Sequence, residues 1–217
     1  AANAALAARG LRVLAVAGKR AAVAGASRDD DEWGLALYGL LGFEDPLRAE
    51  VPSAVAECQG AGIRVVMITG DHALTAHAVA TAAGIAHDDA DIVTGPELAA
   101  LDPPDRTRRL QRAAVLARIS PEQKFMIVDT LRAAGEVVAM TGDGVNDAPA
   151  LRRADIGIAM GRRGTDVARA TADLVLLDDN FTSIVATVRE GRHLLENIQR
   201  SFLYLIAFHV PIVVLAV

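Results

Sequence analysis

The chain has 217 residues, a net charge of −5, 52% hydrophobic residues and 23% charged ones. That much apolar material builds a core and excludes a disordered chain. The 22 Lys and Arg residues are scattered along the sequence, so the basic stripe that a nucleic-acid partner requires is missing. Cys58 is the single cysteine, which rules out an intrachain disulfide and a multi-cysteine metal site and suits a reducing compartment. The sequence opens at Ala1 without a basic-then-apolar leader.

In chain order, apolar runs at Val13–Ala17 and Leu35–Phe43 predict two strands, separated by a surface turn at Ser27–Glu32 (SRDDDE). Asp45-Pro46 marks a break. Residues 1–44 therefore read as the tail of one domain and 45–200 as most of another. Val51, Ala54, Val55 and Cys58 recur at helical spacing and stop at Gly60 and Gly62. Further strands are predicted at Ile63–Ile68, Val115–Ala117, Val137–Met140, Ile156–Met160 and Leu174–Leu177. Ser120-Pro121-Glu122-Gln123 is a capping box with proline at the first helical position, and Phe125, Val128 and Leu131 give that helix an inner face. Strands alternating with helices predict an α/β fold with a Rossmann-like parallel sheet covered on both faces.

The last helix is long. Phe181, Ile184, Val188, Gly191, Leu195, Ile198, Phe202 and Leu205 sustain a three-and-four alternation, and Arg189, Arg192, Glu196 and Arg200 keep its first half in water. No charged residue follows between Phe202 and Val217. Residues 201–217 are expected to be the start of a transmembrane helix entering the lipid bilayer, although the run is shorter than the ~20 residues of a full span. Pro211 is expected to kink it, because proline removes a helical hydrogen bond.

One element occurs twice. Val65–Asp71 (VVMITGD) and Val137–Asp143 (VVAMTGD) are both apolar strands that end in Thr-Gly-Asp. In a parallel sheet both turns would lie at the carboxyl edge, where such folds bind ligands. Thr offers a hydroxyl, Gly admits backbone N–H groups to a phosphate, and Asp holds a hard cation such as Mg²⁺. The second copy continues as Gly144-Val145-Asn146-Asp147-Ala148-Pro149, a crowded polar turn that is costly to bury without a cation or phosphate. The five histidines, His72, His77, His87, His193 and His209, are scattered and read as structural or surface residues. Met67 and Met140 read as core.

Thr141–Leu151 (TGDGVNDAPAL) resembles the hinge motif of P-type cation-transporting ATPases, members of the haloacid dehalogenase superfamily. Leu11–Ala17 (LRVLAVA), DPLR at 45–48, Met67–Asp71 (MITGD), Ala117–Lys124 (ARISPEQK), Asp155–Gly161 (DIGIAMG), Gly164–Ala168 (GTDVA) and Asp173–Phe181 (DLVLLDDNF) match in the same order. The resemblance implies an ATP-driven pump that forms an aspartyl-phosphate. It implies that Asp143 holds Mg²⁺, that Asp147 and Asn146 sit in the phosphate environment, and that Lys124 reaches the transferred phosphate. It also implies that Thr69, Gly70 and Asp71 line the phosphate and nucleotide side, and that Arg12 and Arg118 contact ATP. Asp45 and Arg48 would lie where the chain returns from the nucleotide-binding domain. The intact pump would sit in a membrane, on the bacterial pattern the plasma membrane, with residues 1–200 on the cytoplasmic side. Calcium or a similar cation is the expected cargo.

The sequence departs from that family in one respect that matters. The Asp-Lys-Thr-Gly-Thr motif that carries the phosphorylated aspartate is absent, as is the Thr-Gly-Glu-Ser-type loop. The chain is therefore expected to be a fragment that does not turn over ATP. It is also expected to lack the first strand of its sheet and to show an apolar gap, its partner being the remainder of the same polypeptide. The competing readings are a soluble phosphatase of the same superfamily and a non-catalytic nucleotide or Mg²⁺ module.

Overall fold

The computed structural model describes residues 2–20, 32–43 and 46–215. Asp45 and residues 27–31 of the predicted turn lie outside them. The elements in order are α1 (Ala2–Ala7), β1 (Arg12–Gly18), β2 (Ala36–Phe43), α2 (Val51–Gly60), β3 (Met67–Ile68), α3 (Ala73–Ala82), β4 (Ile92–Thr94), α4 (Gly95–Ala100), α5 (Pro103–Arg112) and β5 (Val115–Ala117). There follow α6 (Pro121–Ala133), β6 (Ala139–Gly142), α7 (Ala148–Arg153), β7 (Ile156–Met160), α8 (Asp166–Thr171), β8 (Leu174–Leu176) and α9 (Phe181–Leu215).

β1 and β2 pair antiparallel, Arg12 opposite Phe43 and Gly18 opposite Ala36. The rest is α/β, as expected, but its strands fall into two three-stranded parallel sheets, ordered β3-β5-β4 and β6-β7-β8. β5 is covered on both faces. Val115 and Ala117 pack with Ala76 and Ala80 of α3. Leu116 packs with Leu98, Leu110, Ile127 and Leu131 from α4, α5 and α6. Burying side chains of this size contributes ~1.5–3 kcal/mol each. In the second sheet Met140 and Ala159 pack on Ala150 and Leu151 of α7 and on Val128 of α6.

Each three-stranded sheet leaves its outer edges unpaired among the described residues, and two of these, one side of β3 and one side of β6, matter for the site. They face a cavity of about 590 Å³ lined by Val66, Ile68, Val138 and Met140, with Ile127 and Leu131 of α6 as its floor. Ile68 and Thr141 also line a smaller cavity at the carboxyl ends of their strands. β3 and β6 therefore run the same way, and the slot between them adjoins the smaller cavity at Ile68, Lys124 and Thr141, beside the second Thr-Gly-Asp turn. This is the apolar gap expected from the sequence.

Several boundaries differ from the sequence reading. The strand expected at Ile63–Ile68 is reduced to Met67–Ile68, because Ile63 turns back onto the end of α2, its N–H donating to the Cys58 carbonyl at 2.9 Å. The strand expected at Val137–Met140 lies at Ala139–Gly142, since the Val138 N–H donates to the Asp155 carboxylate instead of a ladder partner. β4 offers only two apolar residues, Ile92 and Val93, between Asp91 and Thr94, and the sequence reading passes over it. α9 runs unbroken through Pro211 to Leu215. Its wet half lies along α2, where Arg189 pairs with Glu57 and Arg192 donates to the Ala61 carbonyl at 2.7 Å. Among the described residues no helix is long and apolar enough to cross a membrane.

The slot makes a testable difference between neighbouring amides. The Met67 N–H donates to the carbonyl of Ala114, just before β5, at 3.0 Å, and the Thr69 N–H to that of Leu116 in β5 at 2.8 Å. Ile68, between them, directs its N–H towards the slot by strand alternation. Hydrogen exchange followed by NMR should find the Ile68 amide faster than both neighbours. Equal protection of all three would mean that the slot is filled.

Candidate active site

The turn after β6 is built around one buried carboxylate. Asp147 is 6% exposed. Its Oδ2 accepts from the N–H groups of Asp143 and Gly144 at 3.3 and 3.2 Å, and its Oδ1 accepts from Lys124 Nζ at 2.6 Å. Gly142 is required by this approach, because a Cβ there would lie 2.6 Å from the Asp147 Cβ. Lys124 comes from the first turn of α6. That turn is set by Ser120, whose Oγ accepts from the Gln123 N–H, while Gln123 Oε1 accepts from the Ser120 N–H at 3.0 Å. Gln123 also donates to the Gly95 carbonyl at 2.8 Å, so the helix start is fastened to α4.

Asp143 is exposed, and its carboxylate makes no hydrogen bond or ion pair with any described residue. Its carbonyl accepts from the Thr165 N–H at 2.8 Å, which fixes the backbone and leaves the side chain available. Asp143, Asp147 and Lys124 line one cavity of about 360 Å³. No group of three or more His, Cys, Asp or Glu able to hold a metal exists among the described residues. Mg²⁺ needs no such cage, since it is held by one or two carboxylates plus water and phosphate oxygens. The unengaged Asp143 carboxylate beside a cationic Lys124 fits Mg²⁺ together with a phosphate.

The first Thr-Gly-Asp turn sits at the carboxyl end of β3, as expected, but closes on itself. Thr69 Oγ1 donates to Asp71 Oδ2 at 2.9 Å and accepts from the Asp71 N–H at 3.1 Å. Asp71 lines a neighbouring cavity of about 700 Å³, with Leu14 and Phe43 of the hairpin and Thr75 of α3. Thr69, Gly70, Asn146 and Arg118 do not line either cavity. Arg118 is exposed, in the left-handed region at φ 54°, and its N–H donates to the Asp71 carbonyl at 2.9 Å. Arg12 lies in β1, but its side chain falls outside the described residues. Of the histidines, His77 and His87 meet, with ring nitrogens 2.9 Å apart.

Sequence reasoning missed two residues of the 360 Å³ cavity, Arg163 and Asp179, and placed Arg48 only as a junction residue. Arg48 and Arg163 line both cavities and form the wall between them. Asp179 is 7% exposed and left-handed, with φ 55°. Burial pushes its carboxyl up, but the N–H groups of Arg162, Arg163 and Gly161 outweigh that and hold it below the usual carboxylate range. The only signal in the sequence is the pair Asp178-Asp179 ahead of Asn180.

Lys124→Met leaves Asp147 buried with two N–H donors and no cation. Urea unfolding should show a loss of about 2–3 kcal/mol, below the ~3–5 kcal/mol of a fully buried pair, because the Lys124 side chain is 22% exposed. Asp179, with its folded value depressed, stabilises the fold fully above its unfolded value near pH ~4, and that contribution disappears as pH falls through the folded value. Asp179→Asn should flatten the acid limb of a Tm-against-pH curve.

A haloacid dehalogenase-like hydrolase family model matches residues 4–155. Calcium-transporting ATPase 1 of Bacillus cereus is 50% identical over 197 residues, covering 91% of this chain and 22% of the relative. Probable cation-transporting ATPase F of Mycobacterium tuberculosis is 52% identical over 203 residues, covering 90% of this chain and 22% of the relative. A sodium/potassium-transporting ATPase subunit alpha-B of Artemia franciscana is 43% identical over 204 residues, covering 82% and 20%. The chain thus spans about a fifth of the length of these relatives.

Proposed function

From the premise that the chain belongs to the haloacid dehalogenase-like hydrolase family, we propose that it is the carboxyl-terminal part of the phosphorylation domain of a P-type cation pump. The observation that carries this reading is the meeting of Lys124, Asp143 and Asp147 in one cavity at the mouth of a strand-wide slot. The relatives named as cation-transporting ATPases support it.

In this reading a strand from the remainder of the same polypeptide fills the slot between β3 and β6. It would meet unpaired backbone groups on both sides and apolar side chains above α6, and its carboxyl end would emerge beside Asp143. That position suits a nucleophilic aspartate. The aspartate oxygen attacks the γ-phosphorus of ATP, an O–P bond forms, and ADP leaves with the bridging oxygen. Lys124 offsets charge on the transferring group as a point charge. Asp147 holds Lys124 and the 142–147 turn in register. Asp143 would hold Mg²⁺, which when bound supplies further charge neutralisation at the phosphoryl oxygens. Water later hydrolyses the acyl phosphate.

Thr69, Gly70 and Asp71 would flank the incoming nucleotide, with Arg118 and Arg12 contacting ATP and Asn146 beside the phosphate. α9 would carry motion from this site towards the lipid bilayer, with residues 1–200 on the cytoplasmic side of a bacterial plasma membrane. The transported cation would be calcium or a similar ion, bound by parts of the polypeptide outside this chain.

The test is phosphoenzyme formation from radiolabelled ATP in membranes containing the polypeptide encoded by the whole reading frame. A calcium-stimulated, hydroxylamine-sensitive phosphoenzyme is expected, falling at least about a hundredfold in Asp143→Ala, the scale of losing one charge-stabilising contact. A normal phosphoenzyme in that variant would overturn the Mg²⁺ role. A wild-type polypeptide that forms none would overturn the pump reading.

A further inference from the structure

The loop from Gly161 to Gly164 is fastened more tightly than a surface turn requires. The Gly161 N–H donates to the Leu176 carbonyl at 2.9 Å, and the Thr165 N–H donates to the Asp143 carbonyl at 2.8 Å. Between them the N–H groups of Arg162 and Arg163 donate to the two oxygens of the Asp179 carboxylate, both at 2.9 Å. Gly161 and Gly164 permit the fold-back, since a Cβ would lie 2.7 Å from the Leu176 carbonyl oxygen or 1.9 Å from that of Met160. The Asp179 carbonyl in turn accepts from Arg48 Nη1 at 2.7 Å. Asp179 holds a left-handed backbone to do this, a conformation that costs a non-glycine residue energy and that Asp and Asn tolerate best.

The outcome of this fastening is the position of one cation. Arg163 is exposed and lines the cavity of Lys124, Asp143 and Asp147. Its guanidinium makes no hydrogen bond or ion pair with any described residue. Lys124, by contrast, is already engaged by Asp147. The cavity wall carries three cationic groups, Arg48, Lys124 and Arg163, against three anionic ones, Asp143, Asp147 and Asp179. It is therefore formally neutral, and one Mg²⁺ would leave it with a double positive charge, matched to a phosphate dianion.

We propose that Arg163 is an anion-contacting residue of this cavity, reaching a phosphoryl oxygen, and that Asp179 is the positioning residue that holds it there. This rests on the reading of the cavity as a Mg²⁺-phosphate site. Guanidinium suits the task because its fork can bind two oxygens at once. Arg48 secures Asp179 from the other side, so the segment returning from the hairpin is tied to the loop that presents Arg163.

The test is calorimetric titration of the 217-residue chain with inorganic phosphate in the presence of Mg²⁺, with circular dichroism melts of every variant. Arg163→Gln should weaken phosphate binding about tenfold or more, the scale of a hydrogen bond to a charged group, with Tm unchanged. Arg163→Lys should recover part of the loss. Asp179→Asn keeps a residue that tolerates the left-handed backbone and should weaken binding similarly. The double variant should be no weaker than Arg163→Gln within about twofold, because both changes remove one interaction. Additive losses, or full affinity in Arg163→Gln while Lys124→Met binds poorly, would overturn the role of Arg163 and leave the site reading standing. Wild-type chain that binds no phosphate, or binding indifferent to Lys124→Met and Asp143→Ala, would overturn the site reading and this inference with it.

Discussion

The buried carboxylate of Asp147 is the constraint on which the site depends. A charge with 6% exposure persists only if its lone pairs are met, and here they are met by two amides of its own turn and by Lys124 from another helix. Those contacts do two things at once. They shape the 142–147 turn and bind α6 to the second sheet. A carboxylate spent on structure thus sits four residues from one left free for a cation.

The second constraint is the division of the sheet. β3 and β6 each use one edge and leave the other, while Ile68 and Val138 pack against both core clusters between them. An edge strand with an apolar lining is an adhesive surface that folded proteins ordinarily cover. In the proposed function, the element that completes the sheet would also end where Lys124, Asp143 and Asp147 line one cavity. The exposed apolar residues of the hairpin, among them Leu37, Tyr38 and Leu41, are likewise a surface that a larger assembly would cover.

Local signals in the sequence were legible where the structure is local. The strands Val115–Ala117 and Ile156–Met160 appear at the residues where apolar runs place them, and the Ser120 capping box forms with both of its hydrogen bonds. Lys124, Asp143 and Asp147 stand out through the resemblance of Ala117–Lys124 and Thr141–Leu151 to the P-type family, whose motifs fall on a helix start and a turn that form locally here. β4 was not legible, because only Ile92 and Val93 are apolar between Asp91 and Thr94, whereas Val115–Ala117 sits in the apolar run 113–117. β6 slipped because Asp155, a residue of another element, takes the N–H that would have opened the ladder at Val138. Asp179 lies within the stretch Asp173–Phe181 but has no local mark of a place at the site, and Arg163 has no signal at all, for the same reason. Their meeting depends on a loop and a left-handed turn brought together across β7 and β8, and nothing in their local spacing announces it.

The most direct test of the proposed cation site uses manganese, a paramagnetic stand-in for magnesium whose broadening of backbone amide signals reports proximity. If Asp143, beside the Lys124–Asp147 pair, holds the cation, the amides from Gly142 to Asn146 and of Thr165 should broaden selectively, and Asp143→Asn should abolish the effect. Broadening centred instead on another acidic stretch, such as Asp88–Asp91, or undiminished in Asp143→Asn, would contradict this assignment.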